Sequence, residues 1–502
     1  MQGVVLEPSP SEFARPPGHA TVVPVSCELL ADLDTPISAY MKLRDLPSSF
    51  LLESVEGGAP VARFSVLGGD PRLVLESDGR DVRVTTAAGT TVEPGDPLGS
   101  LRRHLARHRA EPRADLPPFV GGFLGYIGYD AVRLWERLPH RPPDDLGLPV
   151  FRLGLMDTVV VFDHLRHTIR VIANAAPDET DADRAYRGAR ERIEQVLARL
   201  AGPRPLEPPP PPLHLAPRST MSPERYCAAV ERAQQHIRAG DIYQIILSQR
   251  FAVPVPGLDP LALYRALRVV NPSPYMFLVE AGDATLVGSS PERLVRLEGD
   301  RVEMRPLAGT RRRGRDPVDD EAAARALLAD PKERAEHVML VDLTRNDVGR
   351  ISRYGSVRVT ELMAIERYSH VMHLVSHVVG ELAPGCQAWD VLQAVFPHGT
   401  VTGAPKVRAM ELIDQLEPLA RGPYAGTVGY FGFDGSLNTA IAIRTMLVHR
   451  GTAYVQAGAG IVAVSVAERE HEECVAKARG LLTALERVGQ AGLARRPDGG
   501  RR

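Results

Sequence analysis

The nine residues "SHVMHLVSH", from Ser369 to His377, carry three histidines: His370, His373 and His377. Spaced by three and then four, they would stack on one face of an α-helix, as a zinc site needs. The residues around them argue for a strand instead. "VMHLVSHVV" is rich in valine and closes on Gly380, a pattern that favours extended chain. On a strand, His373 and His377 share one face but lie roughly 13 Å apart, at about 3.3 Å per residue, too far to chelate one zinc ion. His370 points to the other face. Taken locally, the stretch reads as a half-buried strand with satisfied histidines.

A second constellation lies in "QAGAGIVAVSVAEREHEECVAKARG", residues 456–480. Gly458-Ala459-Gly460 ends a strand, where glycines let backbone N–H groups approach a ligand carboxylate. Glu470 and Glu473 follow one helical turn apart, with Lys477 one turn later. Neighbouring glutamates suit Mg²⁺, which takes one or two protein carboxylates and completes its shell with water and substrate oxygens. Glu473 and Lys477 equally make an ordinary i,i+4 surface pair. Glu336, on "DPKERAEHVMLVDLTRND", reads just as well as part of a solvated helix face. No Cys-His or Ser-His-Asp arrangement, P-loop or dinucleotide-binding glycine fingerprint is visible.

The elements that must position these groups come from the rest of the 502 residues. Such a length suggests two or more domains. "AGPRPLEPPPPPLHLAPRST", residues 201–220, contains an unbroken proline run that excludes helix and central strand. It divides the chain into 1–200, a linker at 201–220, a region at 221–487, and a tail without packed structure at 488–502. "FRLGLMDTVVVF" and "TIRVIANA" read as strands, and "DETDADRAYRGARERIEQVLARLAG" as an amphipathic helix. "SPERYCAAVERAQQHIRAGD" is a helix with Ser222 as N-cap, Pro223 in its first turn and Gly240 as its stop. A last helix spans about 467–484. Short strands interleaved with helices predict a mixed, largely antiparallel α+β fold.

A net charge of −2 provides no electrostatic footprint for nucleic acid or an acidic membrane. Cys27, Cys227, Cys386 and Cys474 form no C-x-x-C pair and read as free thiols in a reducing compartment. No segment reads as a secretory signal, and no apolar run approaches a membrane span. The expectation is a soluble, cytoplasmic protein.

Several long motifs, in order, resemble one family. They are "PLAGTRRRGR", "ERAEHVMLVDLTRNDVGRI", "ERYSHVMHLVS", "HGTVTGAPKVRAMELID", "YAGTVGYFGFDGSLNTAIAIRT" and "VQAGAGIVAVS". The likeness runs from about Ser222 to Leu485 and reappears earlier in "LLES" (Leu51–Ser54) and "GGFLGYIGYD" (Gly121–Asp130). It is to the chorismate-binding enzymes, and most narrowly to their anthranilate-forming members. The resemblance implies two orthogonally packed, mostly antiparallel β-sheets flanked by helices, with the site in the cleft between them. It also implies that ammonia adds at C2 of chorismate as the C4 hydroxyl leaves. The aminodeoxyisochorismate so formed then loses pyruvate to give anthranilate.

Residue roles come with the resemblance. Glu336 and Glu473 would hold Mg²⁺, with Glu470 acting through water. Gly309, Thr310, Tyr424, Arg444, Gly458, Ala459 and Gly460 would bind chorismate. Glu292, in "SSPERL", would be the general acid, Thr400 would orient the substrate, and His373 would move a proton in pyruvate elimination. Relatives that add water typically carry a lysine where this chain has Gln244, and an amide is no general base. Relatives that aminate at C4 typically carry a lysine where this chain has Ala308. The four lysines, Lys42, Lys332, Lys406 and Lys477, lie elsewhere. Three alternatives stay open: an aminodeoxychorismate synthase, a relative that stops at aminodeoxyisochorismate, and a non-catalytic ligand-binding relative.

"LLES" and "NPSPYMF" resemble the family's tryptophan feedback site. Ser54, Pro274, Tyr275 and Met276 would then contact the inhibitor, far from the chemistry. No cysteine sits in the strand–helix turn of a glutamine amidotransferase. The resemblance therefore implies a separate glutamine amidotransferase small subunit, in a heterotetramer of two large and two small subunits.

Overall fold

In the computed structural model of the chain, residues 5–14, 20–54, 63–176, 181–206, 211, 213, 215–368 and 371–494 are described. Two large sheets of 12 strands each, antiparallel throughout, form the body. Both sheets draw strands from either side of the proline-rich segment. In the first, Phe50–Glu53 runs beside Tyr275–Ala281, with Glu53 opposite Met276. In the second, Gly122–Ile127 runs beside Thr427–Gly432, with Gly125 opposite Gly429. The chain before the linker thus shares both sheets with the chain after it. Most of the proline run, Pro208–Pro212, lies outside the described residues.

Burial explains the layering. Phe50, Val159 and Val161 of the first sheet and Leu124, Tyr126 and Val428 of the second join one apolar cluster between the sheets. The outer face of the first sheet is covered by helices Pro36–Leu43, Ala182–Ala201, Pro223–Ala239, Pro260–Val270 and Ala467–Ala494. Helix Pro223–Ala239 is built as its sequence predicts. The Ser222 side chain accepts from the Arg225 N–H, Gly240 closes it at φ +82°, and Tyr226, Val230 and Ala233 are buried.

The last helix runs on to Ala494, past the expected end near residue 484 and through the first residues of the expected tail. Leu481, Leu485 and Val488 continue one stripe that is buried in the same cluster as Leu261 and Leu267, so packing extends the helix. Residues 495–502 lie outside the described residues. The histidine stretch forms the strand Val371–Glu381, and His370 too lies outside. All four cysteines are free thiols. Among the described residues, no helix is long and apolar enough to cross a membrane.

Candidate active site

Two of the chain's crossings between the sheets adjoin each other. Ala284–Ser290 belongs to the first sheet and Arg293–Glu298 to the second, which leaves Glu292 in the crossover. Leu437–Ile441 belongs to the second sheet and Thr445–His449 to the first, which leaves Arg444 in the return crossover. The two crossovers are bonded to each other. The Ile441 N–H donates to the Glu292 carbonyl at 3.0 Å, and the Ser289 N–H to the Arg444 carbonyl at 3.0 Å. Topology therefore places the backbones of Glu292 and Arg444 in adjoining crossovers at the junction of the sheets.

Glu292 is 4 % exposed, and burial pushes its carboxyl up to about 8. The Leu307 backbone N–H, which favours the ionised form, offsets only part of that rise. Thr400 Oγ1 lies 3.1 and 3.2 Å from the two carboxyl oxygens. At neutral pH this group carries a proton and can give it away. Arg444 has a left-handed backbone at φ +51°, a conformation that costs a non-glycine residue energy and clusters at functional sites. Its guanidinium donates to the Lys477 carbonyl at 3.0 Å and has no ion-pair partner among the described residues. Burial lowers its pKa, while Tyr424 and Glu473 pull the other way. A half-buried guanidinium without an ion pair suits a ligand carboxylate.

Gly458 and Gly460 lie opposite Ser248 and Ile246 on neighbouring strands, with Ala459 between them opposite Leu247. A Cβ on Gly458 would come within 3.1 Å of the Tyr424 hydroxyl, and one on Gly460 within 2.8 Å of Gln244 Nε2. Side chains there would fill the space in front of Tyr424 and Gln244.

His373 gets its orientation from a bulge. The register between strands Leu307–Arg312 and Val371–Glu381 shifts between Ala308 and Thr310, and Gly309 takes φ +64° as the extra residue. His373 Nδ1 then lies 2.9 Å from the Gly309 carbonyl and 3.1 Å from Thr310 Oγ1. A carbonyl only accepts, so Nδ1 carries the ring proton and Nε2 is left as a base. Burial lowers the His373 pKa, and Arg444 adds to this, so the ring is neutral at pH 7. His377 is engaged elsewhere: Arg305 Nε donates to its Nε2 at 3.0 Å, and Glu303 and Glu361 flank it.

The glutamates converge from two helices. Glu336 sits on Pro331–Gly349, and Glu470 and Glu473 on Ala467–Ala494. Burial raises the Glu336 pKa, and the neighbouring charges of Glu333 and Glu473 raise it further. Burial likewise raises Glu470, with Glu473 adding to it. Lys477 Nζ meets Glu473 at 2.7 Å and the Gly458 carbonyl at 3.0 Å. A set of crowded carboxylates fits a hard divalent cation. Among the described residues no three His, Cys, Asp or Glu side chains are gathered tightly enough to cage a metal alone. Water and substrate oxygens would have to complete the shell.

Glu333 and His398 escape the sequence reading. Glu333 lies one turn before Glu336, and its carboxyl would meet a Cβ on Gly309 at 3.0 Å. The signal was present, since Glu333–Glu336 repeats the spacing of Glu470–Glu473. His398 Nδ1 lies 2.7 Å from Thr400 Oγ1 and 3.5 Å from Glu292. Gln244 Nε2 reaches Glu336 at 3.4 Å, and Ala308 is buried beside Gly309. Gln244 therefore lies against the Glu336 carboxylate, and Ala308 adjoins the Gly309 bulge.

Ser54, Pro274, Tyr275 and Met276 come together where Phe50–Glu53 meets Tyr275–Ala281. The Ser54 hydroxyl is buried without a partner among the described residues. One residue of this stretch, Tyr275, reaches the Glu292 crossover. Tyr275 lies opposite Ser290, and Arg293, the residue after Glu292, donates to its hydroxyl at 2.6 Å and pairs with Glu303 at 2.7 Å. The hairpin that joins the two strands folds Tyr275 back onto the Glu292 crossover.

A family model described as chorismate binding enzyme matches residues 59–483. An anthranilate synthase component 1 from Thermus thermophilus is 50% identical over 468 residues, 92% of this chain and 98% of the relative. Another from Acetivibrio thermocellus is 46% identical over 477 residues, 93% of this chain and 96% of the relative. Among solved structures, anthranilate synthase component I from Streptococcus pneumoniae superposes with a TM-score of 0.76 at 38% identity, covering 90% of this chain and 98% of that one. A menaquinone-specific isochorismate synthase from Escherichia coli shares the fold, with a TM-score of 0.68 at 21% identity.

Proposed function

The chain belongs to the chorismate-binding enzymes and acts as an anthranilate-forming member of that family, and from this premise we propose how its residues divide the reaction. Arg444, with Tyr424 and the Gly458–Gly460 backbone, binds a carboxylate of chorismate. Gly309 and Thr310 close the opposite wall. Glu292 gives its proton to the departing C4 hydroxyl while ammonia attacks C2, and Thr400 holds that carboxyl in place. His373, through Nε2, moves the proton required for pyruvate to leave. Glu336 and Glu473 would hold Mg²⁺, with Glu470 near it, and the ion when bound would supply positive charge against the ring carboxylate. The observation that carries this reading is a buried carboxyl, pushed up to about 8, in a crossover whose main chain is hydrogen-bonded to the crossover that carries Arg444, a half-buried guanidinium with no ion-pair partner among the described residues.

Ammonia comes from a glutamine amidotransferase small subunit, in a heterotetramer of two copies of each chain, and free thiols suit a cytoplasmic setting. The purified chain, given chorismate, MgCl₂ and ammonium at about pH 8.5, is expected to release anthranilate and pyruvate. Isochorismate or salicylate as the product would overturn the reading of Gln244. Product capture at C4, as aminodeoxychorismate, would overturn that of Ala308.

Tryptophan inhibits from the pocket bounded by Ser54, Pro274, Tyr275 and Met276. The Tyr275–Arg293 hydrogen bond is the route by which an occupant there would disturb Glu292. Ser54→Arg fills that pocket with a long cation. The half-inhibitory tryptophan concentration is expected to rise by on the order of ten-fold or more. Wild-type turnover that is unaffected by saturating tryptophan would remove the site altogether.

A further inference from the structure

His398 makes no contact that the reaction outlined above requires, yet it is 3 % exposed and points at the acid. It follows Pro397 at the end of helix Ala388–Val395 and precedes the short turn Gly399–Val401. Its Nδ1 accepts from the Thr400 backbone N–H at 3.2 Å. That bond leaves no proton on Nδ1, so the ring is the neutral tautomer protonated at Nε2. Burial, with Lys406 nearby, holds its pKa down at about 3.

The Thr400 hydroxyl therefore has one proton and two acceptors that compete for it. His398 Nδ1 lies at 2.7 Å, and the two Glu292 oxygens at 3.1 and 3.2 Å. The shorter contact takes the proton. Thr400 then presents only lone pairs to Glu292, and its contacts there are hydrogen bonds only if Glu292 carries the proton. The Nδ1 lone pair itself lies 3.5 Å from Glu292 Oε1, which also disfavours a carboxylate.

We propose that His398 is a positioning residue that withholds the Thr400 hydroxyl proton from Glu292 and so keeps Glu292 as the acid. The proposal rests on Glu292 being the general acid of the reading above. The other groups facing Glu292 do not perform this task. The Leu307 backbone N–H favours the ionised form, and Ser290 Oγ bonds the Glu292 main chain rather than its carboxyl. Lys406 is neutralised by Asp347 at 2.9 Å. Arg293 turns away toward Tyr275 and Glu303.

The test is the alkaline limb of kcat against pH, with chorismate saturating and free ammonia held constant. His398→Leu removes the acceptor, Thr400 then donates to the carboxylate, and the limb moves down by about one pH unit. His398→Asn, whose Oδ1 can stand where Nδ1 stands, keeps the limb within about 0.3 of a unit of wild type. In a Thr400→Val background there is no hydroxyl proton to redirect, so adding His398→Leu produces no downward shift. Equal shifts in the Leu and Asn variants, or a shift that survives in Thr400→Val, would show a merely structural histidine and overturn the proposal. An unmoved limb in folded His398→Leu overturns it too. Should His398→Leu not fold, the Asn variant decides alone: a limb that drops with the acceptor in place contradicts the mechanism, and one that holds supports it. Glu292→Gln measured alongside separates the two failures. If it keeps both activity and the limb, the assignment of Glu292 as the acid is what fails.

Discussion

Glu336→Gln is expected to lose Mg²⁺-dependent turnover by on the order of 10³-fold, the size of several kcal/mol of charge stabilisation. The reason is visible in the carboxylates. Glu336 is raised by burial and then by Glu333 and Glu473, and Glu470 by burial and then by Glu473. The nearby cations Lys332 and Lys477 only partly relieve that repulsion. A glutamine keeps the shape, removes one charge, and leaves an ion with too few anionic oxygens. Glu473→Gln is expected to behave alike, while Glu470→Gln, which would act only through water, is expected to cost about 10-fold or somewhat more. Calorimetric Mg²⁺ titration in the presence of chorismate is the direct check. Wild-type affinity in Glu336→Gln would place the metal elsewhere.

The second large effect is a change of product. His373→Ala should still consume chorismate and ammonia but release aminodeoxyisochorismate, with anthranilate formation down by about 10²–10⁴-fold, the usual worth of a positioned base. The Gly309 carbonyl holds Nδ1–H, and burial with Arg444 keeps the ring uncharged, so Nε2 is free to take a proton. His377→Ala should go on forming anthranilate, because His377 is tied into Arg305, Glu303 and Glu361. Mass analysis of the products at single turnover separates the two. Equal loss of the amination step in both variants would mean that the whole strand is scaffold.

Much of this was legible in the chain. Valine content and Gly380 called Val371–Glu381 a strand, and that ended any zinc reading of the three histidines. Ser222, Pro223 and Gly240 bounded a helix because caps are local hydrogen-bond chemistry. Long ordered motifs carried the family and with it the expected roles of Glu292, His373, Arg444, Glu336 and Glu473.

What the sequence could determine by itself was whatever depends on neighbours along the chain: periodicity, capping and motif order. Only the tertiary structure decided what depends on neighbours across it. It set Tyr275 against Arg293, the residue after Glu292. It added Glu333 to the carboxylates, carried the last helix past its expected end on the stripe Leu481, Leu485 and Val488, and turned His398 toward Thr400. The physical reason is that a carboxyl's charge and a histidine's tautomer are set by burial and by the nearest donor or acceptor. At this sheet junction those partners arrive from distant strands and helices, and no local pattern announces them.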